Sequence, residues 1–101
     1  MRTVWKFTLE VKAHNDVEMP KGAQVVMVAA QFEKPCLWAL VDPHAEKEVR
    51  RFGVAVTGQT WDEREARYVG TFMLGGGSFL GHVVEPIVPA ESRNESTKEK
   101  E

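Results

Sequence analysis

The sequence predicts an all-β domain: about six antiparallel strands curled into a small sandwich or open barrel, with at most one short helix. Three observations predict it. Residues 3–11 alternate apolar and polar, two wholly apolar runs are joined by a short turn, and glycine and proline punctuate the rest. The short connections favour antiparallel pairing, because parallel strands need long crossovers.

In the first strand Trp5, Phe7, Leu9 and Val11 fall on one face, and Lys6, Thr8 and Glu10 on the other. Residues 13–16 and 19–22 read as polar turns, with Pro20 presetting φ and Gly22 able to take a positive φ. The run from Val25 to Ala30 shows no alternation, which predicts a strand covered on both faces. Glu33, Lys34 and Pro35 then turn the chain into a second such run, residues 36–41. Together the runs read as a central β-hairpin, with Trp38, like Trp5, in the core.

Asp42-Pro43 ends that hairpin, since proline cannot donate to a ladder and restricts the residue before it. Residues 48–57 predict another strand, with Phe52, Val54 and Val56 facing one way and Arg51, Gly53 and Ala55 the other. Thr60 stands three residues ahead of Glu63, the capping-box spacing, but leaves room for only about two helical turns before Arg67. Residues 67–74 and 78–85 read as a last hairpin across Gly75-Gly76-Gly77. No phosphate-loop lysine follows those glycines, so they do not read as a nucleotide cradle.

At 101 residues the chain has material for one core. Residues 1–88 read as a single β-rich domain, and 89–101 as a disordered charged tail, because nothing from Glu91 onward is apolar and burial cannot offset the ordering entropy. A domain this small buries a modest share of its surface, so self-association into a homo-oligomer would be a natural supplement. The net charge is −2. Without a basic excess, generic nucleic-acid binding through phosphates is not expected. One cysteine, Cys36, precludes an internal disulfide and points to a reducing, cytoplasmic compartment; no apolar run is long enough for a leader or a membrane span.

The candidate sites follow from residue chemistry. Nucleophilic catalysis needs a serine or cysteine with a base in reach. Cys36 lies in the most apolar segment, and neither it nor Ser78 stands in a motif with His14, His44 or His82, so no catalytic residue and no enzyme are expected. Asp42 and His44 lie two apart across a turn but lack the third and fourth ligands of a zinc site, so no metal and no cofactor are expected either. Trp61 sits in a polar loop beside Arg64 and Arg67, and Arg50 with Arg51 forms a second basic pair. Tryptophan and arginine are enriched at binding hot spots, so these five residues form the interaction surface the sequence favours. The other candidate is a ligand face on the last hairpin made by Tyr68, Phe72 and His82.

Several short motifs are spread along the body of the chain: Trp5-Lys6-Phe7, Met19-Pro20-Lys21-Gly22-Ala23 and Cys36-Leu37-Trp38-Ala39-Leu40-Val41-Asp42-Pro43. With Tyr68-Val69-Gly70-Thr71-Phe72, Gly75-Gly76 and His82-Val83, the pattern resembles a family of small uncharacterised proteins encoded by phages and prophages. Gln59 departs from it, standing where the pattern has a histidine. The resemblance implies no chemistry. It implies a setting, the cytoplasm of an infected bacterium, where accessory proteins of this size bind and disable a host or anti-phage defence factor. The expected function is therefore a non-catalytic counter-defence inhibitor that binds a protein; the alternative is a small-ligand binder or sponge for a nucleotide signal.

Overall fold

A computed structural model of the chain describes residues 1–87, so the expected tail at 89–101 lies outside the described residues. Among the described residues seven strands form: β1 (Thr3–Thr8), β2 (Asn15–Pro20), β3 (Gln24–Gln31), β4 (Lys34–Val41), β5 (Lys47–Val56), β6 (Ala66–Leu74) and β7 (Phe79–Pro86). They build two antiparallel sheets, one of order β1-β4-β3 and one of order β2-β5-β7-β6. The all-β class of the sequence reading holds.

The strand without a clear sequence signal is β2. Its residues read as two turns, yet Asn15, Val17 and Met19 point inward in alternation, and Met19 is fully buried. The strand lies at the edge of its sheet, which is where Pro20 can end a ladder without losing a bond. Asn15 stands in for a longer turn: its Oδ1 accepts the Glu10 N–H at 2.8 Å and its Nδ2 donates to the Glu10 carbonyl at 3.0 Å.

The core fills the space between the sheets. Leu37, Ala39 and Val41 of β4 meet Phe52 and Val54 of β5, Phe72 of β6 and Val83 of β7, with Leu9 and Met19 completing the cluster. Trp5 and Phe7 pack against it, as the alternation of β1 predicts. Trp38 does not. It shares a face with Cys36 and Leu40, opposite the core-facing Leu37, Ala39 and Val41, and is half-buried beside its cross-strand neighbours Lys6 and Met27. The expectation of cover on both faces is thus met on one face only: on the other, Met27 is 50% exposed. Continuous apolar runs cannot by themselves distinguish a strand between two layers from one with a single layer behind it.

The β3–β4 turn is two residues, not the expected Glu33–Pro35. Gln31 pairs with Lys34, and Phe32 and Glu33 both adopt positive φ, 53° and 62°. Such a turn suits the twist of a hairpin but favours Asn-Gly, and a left-handed φ costs a bulky residue about 1–2 kcal/mol. Phe32 is also 88% exposed, so it has little packing to lose. Phe32→Asn is expected to stabilise the domain by about 0.5–1 kcal/mol, read as a melting temperature higher by several degrees. An unchanged or lower melting temperature would show that the Phe32 ring contributes more than its φ costs.

The expected helix does not form between Thr60 and Arg67. Instead Asp62 closes a tight turn, its Oδ1 accepting the Arg64 N–H at 2.8 Å and its carbonyl accepting the N–H of Glu65. Among the described residues no helix is long and apolar enough to cross a membrane.

Candidate functional site

Two recesses flank Tyr68, which stands at the start of a bulge in β6. Tyr68 pairs with Val84 and Gly70 with Val83, leaving Val69 between them without a partner on β7. A bulge shifts the alternation of side chains. Tyr68 and Thr71 therefore both reach the outer face of the four-stranded sheet, while Phe72 turns inward and is 2% exposed. The expected ligand face of Tyr68, Phe72 and His82 is corrected accordingly: Tyr68 and His82 share it, and Phe72 belongs to the core.

The outer recess is a groove of about 310 Å³ lined by Ala55, Val56, Thr57, Gly58, Gln59, Trp61, Tyr68 and His82. The loop after β5 folds back over the sheet and carries Trp61 to the rim. His82 is held on both sides by hydroxyls: Thr57 Oγ1 lies 2.9 Å from Nε2 and Thr71 Oγ1 lies 3.0 Å from Nδ1. The Tyr68 hydroxyl bonds Thr71 and stands 3.3 Å from the same Nδ1. Gln59 lines the groove and accepts the Val56 N–H through Oε1 at 3.1 Å. Trp61 and Tyr68, 39% and 50% exposed, add broad apolar surface to the same groove, with the Tyr68 ring 6.0 Å from the His82 ring between centroids.

The inner recess, also about 310 Å³, opens between the start of β3 and β6, lined by Ala23, Gln24, Val25, Arg50, Arg67, Tyr68, Val69 and Glu85. Glu85 is buried, and Arg50 grips it with Nε at 2.8 Å and Nη2 at 3.0 Å while donating Nη1 to the Ala23 carbonyl at 2.5 Å. Arg67, cross-strand from Glu85, adds Nη2 to the same carboxylate at 2.8 Å. Burial pushes the Glu85 carboxyl up, but hydrogen bonds from the two arginines outweigh it and hold the group below the ordinary glutamate range.

The five interaction candidates are thus dispersed rather than gathered. Arg50 and Arg51 are consecutive on β5 and point to opposite faces: Arg50 to the buried carboxylate, Arg51 to Asp16 of β2 at 2.7 Å. Arg64 braces its own turn through Asp62, Nη2 to Oδ2 at 3.0 Å. Only Trp61 lines the outer groove, and Arg67 and Arg50 line the inner one. Glu85 is not among the sequence candidates, although a signal for it exists. Arg50 shares the inward parity of Phe52 and Val54, and Glu85 that of Val83, so two charges sit at core positions.

Cys36 contacts Thr8 Oγ1 and the Lys34 carbonyl rather than a histidine. Asp42 Oδ1 accepts the His44 N–H at 3.0 Å, so that pair closes a turn. Among the described residues no three His, Cys, Asp or Glu side chains gather as a metal site.

Residues 1–94 match the family model described as a domain of unknown function, DUF7352. The chain belongs to this family. No curated protein and no solved structure matches it.

Proposed function

We propose that this protein is a non-catalytic binding module whose outer groove, rimmed by Trp61 and Tyr68, docks a protein partner. The observation that carries the reading is the pair of half-exposed aromatics lining one groove with an imidazole that three hydroxyls hold in place. A preordered aromatic surface loses little entropy on docking, and large rigid rings dominate binding energy when they are desolvated. The partner class, a host or anti-phage defence factor that binding disables, rests on the motif resemblance to phage and prophage proteins rather than on the groove.

The test is a pair of truncations. Trp61→Ala and Tyr68→Ala should each weaken binding to a partner recovered by the wild-type protein from bacterial lysate by about 30-fold, corresponding to about 2 kcal/mol apiece. Both side chains are partly exposed, so the melting temperature should stay within a few degrees of wild type. Retained binding by the folded double variant would move the partner surface elsewhere; lost binding accompanied by lost fold would make Trp61 a structural plug.

A further inference from the structure

We propose that the inner cleft, on the other side of Tyr68, binds a small anion bearing a carboxylate or phosphate group, with Arg67 receiving it. This site is separate from the aromatic groove and does not depend on the function proposed for it.

Most donors around the cleft are already used. Arg50 is only 14% exposed, and its three nitrogens are committed to Glu85 and the Ala23 carbonyl. Glu85 gives Oε2 to Arg50 and shares Oε1 between Arg50 and Arg67. The pair Arg50–Glu85 is therefore neutral and closed. Arg67 is different. Only its Nη2 is engaged among the described residues, its side chain is 61% exposed, and it lines the cleft. Two guanidiniums against one carboxylate leave one positive charge at the cleft wall, on the residue with unused donors. Glu48 biases Arg50 electrostatically but does not line the cleft.

Glu85 also fixes Arg67. A guanidinium tethered at one nitrogen presents the remaining face of its fork in a set direction, the arrangement that recognises carboxylate and phosphate groups. The neighbouring wall is the unpaired Val69, and bulges gather beside binding sites because they re-aim backbone and side chains. That bulge is locked: a Cβ on Gly70 would come within 2.7 Å of Val28 Cβ, so β3 and β6 approach as closely as they do only with glycine there. The cleft's volume of about 310 Å³ lies at the small end of ligand sites, which limits the occupant to a compact anion.

Thermal melting with inorganic phosphate, acetate or adenosine monophosphate, each compared with chloride at equal ionic strength, tests the site. A ligand that binds only the folded state raises the melting temperature by mass action. We expect a rise of several degrees with at least one of the three. The rise should disappear in Arg67→Gln, be reduced in Arg67→Lys, and persist in Arg51→Gln, which removes an exposed charge from the outer face. Preference for phosphate over acetate assigns a phosphoryl group, and preference for the nucleotide over both assigns a nucleoside phosphate. Amide shifts in ¹⁵N-labelled wild-type protein should centre on Val25, Arg67, Val69 and Glu85, a readout that does not require the variants to fold. The proposal is overturned if no anion exceeds chloride, if Arg67→Gln keeps the rise, or if the shifts centre elsewhere.

Discussion

Glu85→Ala should destabilise the domain by about 3–5 kcal/mol, the cost of leaving a buried charge without its partner. Arg50 is the stranded group: 14% exposed, it would keep only the Ala23 carbonyl, while its guanidinium lies over the Phe52 ring at 5.5 Å. Arg67 can swing into water and adds little to the cost. The double variant Arg50→Met with Glu85→Leu removes both buried charges and should recover most of the loss, since replacing a whole buried pair is far cheaper than breaking it. The pH dependence has a definite sign. The folded state holds the Glu85 pKa below its ordinary 4.5, so this carboxylate contributes stability that is fully present above that value and is lost as pH falls through the lower, folded pKa. Denaturant unfolding from pH 7 downward should therefore show wild type losing stability in the acid range more steeply than Arg50→Met/Glu85→Leu. Parallel profiles for the two proteins would mean that Glu85 titrates alike in folded and unfolded chains.

Local periodicity makes much of this fold legible, and its failures have local causes. β1 reads correctly because one face is buried and the other is wet, so Trp5 and Phe7 alternate with Lys6 and Thr8. The β3 and β4 runs read as strands, but their outer faces carry apolar residues with no second sheet of described residues over them. A pattern apolar on both sides therefore places Trp38 on the wrong one. β2 is hidden by Asn15, Asp16 and Pro20, residues that favour turns; tertiary pairing with β5 overrides that preference.

The recesses are less legible than the strands. Tyr68, Thr71 and His82 come together only because Val69 is an extra residue in β6, and nothing in a strict period of two announces where a bulge will fall. The Arg50–Glu85 pair spans 35 positions and needs β5 beside β7, a strand order that pattern alone does not specify. Trp61 stands out in its polar loop, and that much of the groove is readable. Its meeting with Tyr68 and His82 is not, because the loop's path back over Ala55 is set by Gln59 bonding Val56, a contact with no periodic signature.

Gly81 and Phe72 should behave as one unit, with strongly non-additive substitutions. Phe72 is a core residue, and Phe72→Ala should cost about 3–5 kcal/mol through lost burial and the cavity left behind. Gly81 lies directly across from it in the β6–β7 ladder. A Cβ at Gly81 would stand 2.8 and 2.9 Å from Cε1 and Cε2 of the Phe72 ring and closer still to Cζ. The ring cannot retreat, because Phe79 packs beside it at 6.3 Å between centroids and the rest of the core lies behind. Gly81→Ala alone should therefore cost about 1–3 kcal/mol as overpacking. In the double variant the added methyl enters space the ring has vacated, so the clash vanishes and part of the cavity is filled. The measured loss should fall short of the sum of the two single losses by about 0.5–3 kcal/mol, the range for residues in contact. Urea unfolding of the four proteins in this cycle gives the coupling directly. Additivity within error would mean that β7 shifts to admit the methyl, and His82, the next residue on that strand, would then move with it.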